Sequence, residues 1–169
     1  MSLAPALVWF RKDLRVQDNP ALYAAAQSGR PLIPVFIFDE QTARPLGAAS
    51  RWWLHKSLEA LGARVPLVLR RGSALAQLQE LIAETGARQV YWNRLYEPET
   101  IARDTEIKAV LVGQGLEVQT FGGRYLAEPW VLKTKAGGML KVFTPYWKAL
   151  LAHYEEQPLP LSLIHISEP

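Results

Sequence analysis

The sequence contains no cysteine and only three histidines. The absence of cysteine excludes a disulfide framework, a thiol nucleophile and any cysteine-ligated zinc or iron–sulfur centre. His55, His153 and His165 lie far apart, so each is more typical of a helix surface, an interface or a tail than of a set of metal ligands. We therefore predict no metal site.

Long apolar runs and a strong excess of one charge are also missing. No window approaches the roughly 20 apolar residues that a membrane-spanning helix needs, and no basic segment precedes an apolar run at the N-terminus. The 19 basic and 16 acidic residues leave a net charge of only +3, which is too small to indicate tracking of nucleic-acid phosphates. These absences predict a cytoplasmic protein that does not associate with a membrane.

Glycine is absent from the place where a dinucleotide-binding fold needs it. The first predicted strand ends at Phe10 and is followed directly by the residues RKDLR, so the backbone has no glycine turn with which to approach a pyrophosphate. The chain also has no P-loop motif and no Gly-x-Ser-x-Gly motif. Nicotinamide dehydrogenases, P-loop nucleotidases and serine hydrolases are therefore disfavoured.

Five short apolar segments alternate with helical patterns along the first part of the chain. They recur about every 25–30 residues, a spacing typical of strand–helix–strand units, and they comprise residues 7–10, 32–38, 65–69, 89–92 and 116–120. Their nearly continuous apolar character predicts strands buried on both faces. We therefore predict an α/β fold of the Rossmann-like, doubly wound type, with a five-stranded parallel sheet and helices on both faces. Its ligand crevice should lie at the carboxyl ends of the strands, where the strand order reverses beside the first strand.

We interpret the charged segment after the first strand as a structural loop rather than as a catalytic or binding site. Asn19 directly precedes Pro20 at a predicted helix start, and asparagine is a preferred residue for capping a helix. We expect Asp13, Arg15 and Asp18 to hold the preceding loop through ion pairs and backbone hydrogen bonds.

The alternation of strands and helices ends near residue 122. The chain continues with glycine, proline and lysine, and a stretch this long without regular structure is usually a functional loop or a linker. We predict a Rossmann-like domain over residues 1–123, a connector leading into a further domain over residues 124–160, and a non-native tail over residues 161–169. The apolar residues between positions 142 and 151 should face the further domain.

Residues 9–22, WFRKDLRVQDNPAL, resemble the N-terminal signature of the DNA photolyase and cryptochrome family, Trp-Phe-Arg-x-Asp-Leu-Arg-x-x-Asp-Asn-x-Ala-Leu, at every specified position. Three further segments resemble the family in the same order, namely residues 50–61, 90–104 and 142–148. The resemblance extends over residues 6–151, and four ordered matches are far more specific than a single charged loop.

This resemblance implies that two domains share the work of the whole protein. The Rossmann-like domain is implied to bind a light-harvesting antenna chromophore, which in family members is a reduced folate, a deazaflavin or a second flavin. A long helical domain, absent from this chain, is implied to hold FAD, the damaged DNA and the electron-transfer residues. No catalytic residue is therefore predicted within this chain, and the whole protein is expected to be a monomer that contacts damaged DNA through the second domain.

The resemblance also places the antenna chromophore in a crevice at the carboxyl edge of the sheet. A cation at the start of the second helix would face an anionic tail of the chromophore. Glu99 and Thr100 stand where folate-binding members would carry an Asn-Glu pair, so the chemical class of the chromophore stays open. The residues implied to line the crevice are Phe36, Phe38, Asp39, Arg51, Asn93, Glu97 and Glu99.

Three functions remain under consideration. The leading hypothesis is the antenna-binding domain of a photolyase, a carbon–carbon lyase that uses light and FAD to repair cyclobutane pyrimidine dimers in DNA. The fragment alone should be inactive, because extruding a damaged base requires a dedicated pocket. The first alternative is the N-terminal domain of a cryptochrome-like blue-light photoreceptor. The second alternative is a free-standing nucleotide-binding domain of Rossmann-like type.

Overall fold

The computed structural model describes residues 3–39, 46–125, 127–128, 130–134 and 137–156, and the predicted tail at 161–169 lies outside them. Its strands are β1 (Ala6–Phe10), β2 (Leu32–Phe38), β3 (Val68–Arg71), β4 (Gln89–Asn93) and β5 (Glu117–Phe121). Its helices are α1 (Pro20–Gln27), α2 (Ala48–Gly62), α3 (Ala74–Thr85), α4 (Pro98–Gly113) and α5 (Phe143–Glu156). Strand and helix alternate as far as β5, as the sequence pattern predicted.

The five strands form one parallel sheet in the order β3-β2-β1-β4-β5. The chain builds outward from β1 to β3 and then crosses to the other side of β1 for β4 and β5. The strand order therefore reverses between β1 and β4, and in doubly wound sheets ligands bind where this reversal separates the loops. The predicted α/β fold and the predicted switch beside the first strand are both confirmed.

Both faces of the sheet are covered by helices. Side chains of β1 alternate between the faces: Leu7 and Trp9 belong to the buried cluster that includes residues of α3 and α4, whereas Val8 and Phe10 belong to the cluster that includes residues of α1 and α2. Trp9 meets Trp92 edge to face, with ring centroids 5.6 Å apart. This arrangement explains why the segments of the central strands β1, β2 and β4 are largely apolar without alternation.

The third strand begins later than the sequence predicted. Residues 65–69 were expected to form it, but β3 spans Val68–Arg71. Pro66 has no N–H for a ladder hydrogen bond, and the N–H of Val65 bonds instead to the carbonyl oxygen of Leu61 at the end of α2, at 3.0 Å. Val65 and Leu67 pack as partly buried side chains next to α1 and α2. Leu69 is 56% exposed, so the predicted burial on both faces is wrong for this edge strand.

A small third core lies beyond β5, between the connector and α5. Ala127, Leu132 and Leu150 are buried together there. The predicted boundaries at residues 123 and 160 stay predictions. No helix in the described ranges is long and apolar enough to cross a membrane.

One face of α5 carries an exposed apolar stripe. Phe143, Trp147 and Leu151 recur every fourth residue and are 73%, 44% and 45% exposed. The expectation that the apolar residues of this segment face a further domain stays a prediction.

Candidate functional site

The loop that joins β1 to α1 is held by its own polar side chains. The Oδ1 atom of Asn19 accepts a hydrogen bond from the N–H of Leu22 at 3.1 Å, and Pro20 is the first residue of α1. Arg15 donates to the carbonyl oxygen of Asp18 at 2.9 Å and lies 3.4 Å from its carboxylate. The predicted cap is confirmed, and the Arg15–Asp18 pair forms as expected.

Asn93, at the carboxyl end of β4, makes the hydrogen bonds that connect this strand to the β1–α1 loop. Its Nδ2 atom donates to Asp13 Oδ2 at 2.6 Å and to Asn19 Oδ1 at 2.7 Å, while its Oδ1 atom accepts from the N–H of Ala21 at 3.1 Å. A Cβ atom at Gly123 would lie only 2.8 Å from Cγ of Asn93, so glycine is required for this close approach. The polar atoms of the Asn93 side chain are therefore hydrogen-bonded to the loop and to α1. The predicted contact of Asn93 with a chromophore stays a prediction.

Arg11 continues the buried face of β1 and was not identified from the sequence. It is only 7% exposed, and its guanidinium bonds to the carboxylate of Asp104 on α4 and to the carbonyl oxygen of Asn93. Burial lowers the pKa of Arg11, and the neighbouring carboxylate of Asp104 opposes that shift. Arg11 lies two residues beyond Trp9, so it shares the same face of the strand. This alternation is the sequence signal from which its burial could have been predicted.

Arg103 connects the end of β2 to α4. Its guanidinium lies 3.2 Å from the carboxylate of Asp39 and 2.9 Å from the carboxylate of Asp104. The carboxylate of Asp104 is shared by Arg11 and Arg103. Asp39, one of the predicted chromophore contacts, is thus tied to the helix that follows β4.

Two buried side-chain N–H groups in the described part of the chain have no hydrogen-bond acceptor. They are Nε1 of Trp9 and Nε of Arg11. The Arg11 guanidinium lies over the Trp9 ring at 4.6 Å from the centroid, so both donors belong to the same region at the end of β1. Buried donors are almost always satisfied by protein, water or ligand atoms. This region is therefore able to receive an acceptor oxygen.

Glu97, immediately before α4, holds two cations from other segments. Its Oε1 atom accepts from Lys12 Nζ at 2.6 Å and from Arg124 at 3.0 Å. The hydrogen bond from Lys12 is the main cause that lowers the pKa of Glu97 to about 2, with Arg124 adding to the effect. The Glu97 side chain joins the β1–α1 loop, α4 and the connector.

The connector is attached to the same edge by Glu128. Its Oε1 atom accepts from Arg94 and from the Tyr96 hydroxyl, each at 2.7 Å. Burial and the Glu128 carboxylate raise the pKa of Tyr96 to about 12. None of these contacts was predicted from the sequence. Glu128 lies 34 positions from Arg94 and 32 from Tyr96, so it meets them only in the folded chain.

The other predicted crevice residues differ in exposure. Phe36 is buried, and Phe38 is partly buried with the Arg71 guanidinium 5.9 Å from its ring centroid. Arg51, in the first turns of α2, and Glu99, in the first turn of α4, are exposed, and neither side chain has a hydrogen bond to a residue that the structure describes. Arg51 and Glu99 are therefore accessible to a ligand.

Comparison of the chain with known proteins identifies its family. The family model described as DNA photolyase matches residues 6–163. The chain belongs to the DNA photolyase family. The resemblance read from residues 9–22 and the three later segments is thereby confirmed.

Individual relatives of this photolyase-family chain include deoxyribodipyrimidine photo-lyases and cryptochromes. It is 50% identical over 155 residues to the deoxyribodipyrimidine photo-lyase of Agrobacterium fabrum, covering 89% of this chain and 32% of that protein. It is 37% identical over 164 residues to Cryptochrome-1 of Arabidopsis thaliana, covering 92% and 24%. The crystal structure of a bacterial class III photolyase from Agrobacterium tumefaciens superposes with a TM-score of 0.83 at 49% identity, covering 89% and 32%. The chain spans about a third or less of the length of these relatives.

Proposed function

We propose that the chain is the antenna-chromophore-binding domain of a deoxyribodipyrimidine photolyase that repairs cyclobutane pyrimidine dimers with light and FAD. The observation that carries this proposal is the 50% identity with the photolyase of Agrobacterium fabrum, against 37% with Cryptochrome-1 of Arabidopsis thaliana. The whole protein would act on damaged DNA in the cytoplasm as a monomer. FAD and the DNA lesion would bind in the remaining two thirds of its length.

The residues at the carboxyl edge of the sheet fit a flat heterocycle with carbonyl oxygens and an anionic tail. Phe38 offers an aromatic face, and the exposed guanidinium of Arg51 suits a carboxylate or phosphate. The unpartnered N–H groups of Trp9 and Arg11 suit a carbonyl oxygen. Reduced folates, deazaflavins and flavins share these features, so the fit supports the class and leaves the member open.

In this proposal the chain binds and orients the chromophore, and the chromophore supplies light absorption and energy transfer. The chain's own contribution is a preorganised crevice. Asp39 is held to α4 by Arg103, and Glu97 is held by Lys12 and Arg124, so the walls are set before a ligand arrives. Binding to walls that are already ordered costs less entropy than binding that has to order them.

Titration of the purified chain tests antenna binding. Three probes represent the three classes: 5,10-methenyltetrahydrofolate, 8-hydroxy-5-deazaflavin and FMN. We expect one of them to bind saturably at one molecule per chain, with a shift of its absorption band. Absence of saturable binding by all three would contradict the proposed antenna role.

The chain alone is expected to have no repair activity. Base extrusion needs a pocket for the flipped-out lesion, and the electron donor has to lie beside it. The test incubates the chain with FAD, a reductant and a dimer-containing oligonucleotide under near-ultraviolet light, with the Agrobacterium photolyase as a positive control. Light-dependent restoration above the protein-free reaction would contradict this expectation.

A cryptochrome-like photoreceptor is the second candidate, because plant cryptochromes match the chain at 37% and 40% identity. Both candidates share the same kind of N-terminal domain. Sequencing the gene beyond the codon for residue 169 would separate them. A helical FAD domain with lesion-pocket residues supports repair, the same domain without them supports signalling, and an early stop codon supports a free-standing domain.

A further inference from the structure

Arg103 joins two walls of the crevice that are far apart in the sequence. One end of its guanidinium lies 3.2 Å from Asp39 Oδ2, directly after β2, and the other lies 2.9 Å from Asp104 Oδ1 on α4. Phe38 and Asp39 belong to the first wall, while Glu97 and Glu99 lie at the start of α4 on the second. The Arg103 side chain thus bridges the two walls.

This bridge rests on a buried aromatic platform. The guanidinium of Arg103 lies 5.4 Å from the ring centroid of Trp9, and that of Arg11 lies 4.6 Å from the same centroid. Asp104 is shared between the two arginines, so two cations and two carboxylates balance one another over the indole. Such a network has few alternative arrangements, because each change leaves a charged group without its partner.

Arg103 lies outside the hydrophobic core that anchors α4. Arg103 keeps 26% of its side chain exposed, whereas Ile107 and Leu111 anchor α4 in the core at 2% and 0% exposure. β2 is anchored by Val35 and Ile37, which are also buried. Loss of the Arg103 guanidinium would leave these anchors intact and remove the 3.2 Å contact between Arg103 and Asp39.

We propose that Arg103 is a positioning residue for the antenna crevice, one that sets the distance between the end of β2 and the start of α4. This inference rests on the proposed function, because it assigns Arg103 to the chromophore site without direct contact with the chromophore. The planar fork of arginine suits two carboxylates on different elements, whereas lysine presents a single point charge. Lysine at position 103 should therefore restore the positioning only in part.

The test compares Arg103→Gln and Arg103→Lys with the matched control Lys108→Gln, which removes a cation from an exposed position of the same helix. Each variant is titrated with the folate, the deazaflavin and FMN, and its Tm is measured. Arg103→Gln should weaken binding about tenfold or more, as expected when a positioning contact is lost, with little change in Tm. Arg103→Lys should be intermediate, and Lys108→Gln should bind as the unaltered chain does.

Hydrogen exchange supplies a readout that needs no chromophore. In Arg103→Gln, backbone amides of Phe38 and Asp39 should exchange faster, while those at residues 35–37 and 107–111 should keep their protection. Unchanged affinity together with unchanged exchange would overturn the inference while leaving the proposed function intact. A fall in Tm that accounts for the whole loss of affinity would also overturn it. Failure of the unaltered chain to bind any probe would overturn the proposed function, and the role assigned to Arg103 with it.

Discussion

The β1–α1 loop, residues 11–19, and the crevice rim, consisting of Phe38, Arg51 and Glu99, are both polar regions at the carboxyl edge of the sheet. They differ in whether their side chains already have partners. Arg11 and Asn19 are buried and bonded to protein atoms, whereas Arg51 and Glu99 are exposed and have no hydrogen bond to a described residue.

This difference distinguishes residues that stabilise the fold from residues that are able to bind a ligand. A buried polar group is usually paired within the fold, because leaving it without a partner costs about 1–3 kcal/mol. An exposed group is satisfied by water and exchanges that water for a ligand at little cost. Substitutions of the buried loop residues should therefore change stability, and substitutions at the rim should change affinity.

Replacement of Arg11 should have the largest effect. Arg11→Met leaves the partly buried carboxylate of Asp104 and the carbonyl oxygen of Asn93 without this partner. Breaking a buried pair costs about 3 kcal/mol or more. Urea denaturation measures the loss. Lys12→Met is the control, since Lys12 is 54% exposed and its pair should contribute less than about 1 kcal/mol. Equal losses in the two variants would contradict the distinction between buried and exposed cations.

Asn93→Ala should be the next most destabilising change. It removes three hydrogen bonds and leaves Asp13, Asn19 and the N–H of Ala21 without them. We expect the free energy of unfolding to fall by about 2–3 kcal/mol, measured by urea denaturation. Chromophore affinity in the folded fraction then tests the predicted contact of Asn93. If stability is unchanged and affinity is lost, Asn93 belongs to the rim rather than to the loop.

Arg51→Ala should show the opposite behaviour to the loop variants. Binding of the chromophore probe should weaken about tenfold, equivalent to about 1.4 kcal/mol, because the cation that faces the anionic tail is removed. The Tm should stay nearly unchanged, since the side chain is exposed. Lys56→Ala, at another exposed position of α2, is the matched control and should bind normally. Normal binding by Arg51→Ala would remove Arg51 from the rim.

Asn19→Ala should have a smaller effect on stability. Loss of a helix cap costs about 1 kcal/mol, and the affinity for the chromophore probe should stay within a few-fold. Thermal melts and titrations on the same samples give both values. The loop would have to be reassigned as a ligand site if this variant lost binding without losing stability.

Glu97→Gln should have the smallest effect, and its sign depends on pH. The pKa of Glu97 is lowered to about 2 by its hydrogen bond from Lys12 and by Arg124. Its contribution to stability is therefore present above the ordinary glutamate pKa of about 4.3 and is lost as the pH falls toward 2. Because Glu97 is 40% exposed, screening should keep the contribution below about 1 kcal/mol. Urea denaturation of both proteins should show a difference at pH 7 that disappears near pH 2, and a constant difference would contradict this assignment.

Much of the fold was predictable because its signals are local. The apolar segments that contain Trp9 and Trp92 predicted buried strands, and Asn19 before Pro20 predicted a helix start. The third strand was misplaced because its register depends on a neighbour. Val65 resembles a strand residue by type, yet its N–H is used by the end of α2.

The candidate site was less predictable, because its contacts join residues far apart in the chain. Arg11 and Asp104 are 93 positions apart, and Asn93 and Asp13 are 80 positions apart. The family signature identified the segments that surround the crevice. It did not show that the side chain of Asn93 is hydrogen-bonded to the loop, whereas the side chain of Arg51 is exposed.

The sequence by itself determined the alternation of strands and helices, the cap at Asn19 and membership of the DNA photolyase family. These follow from residue type and spacing over short stretches, where backbone preference and apolar periodicity decide the outcome. Only the tertiary structure decided that Arg11 is buried against Asp104 and that Arg103 bridges β2 and α4. The strand order brings those elements together, and a charged side chain acquires a partner only after its neighbours in space have been set.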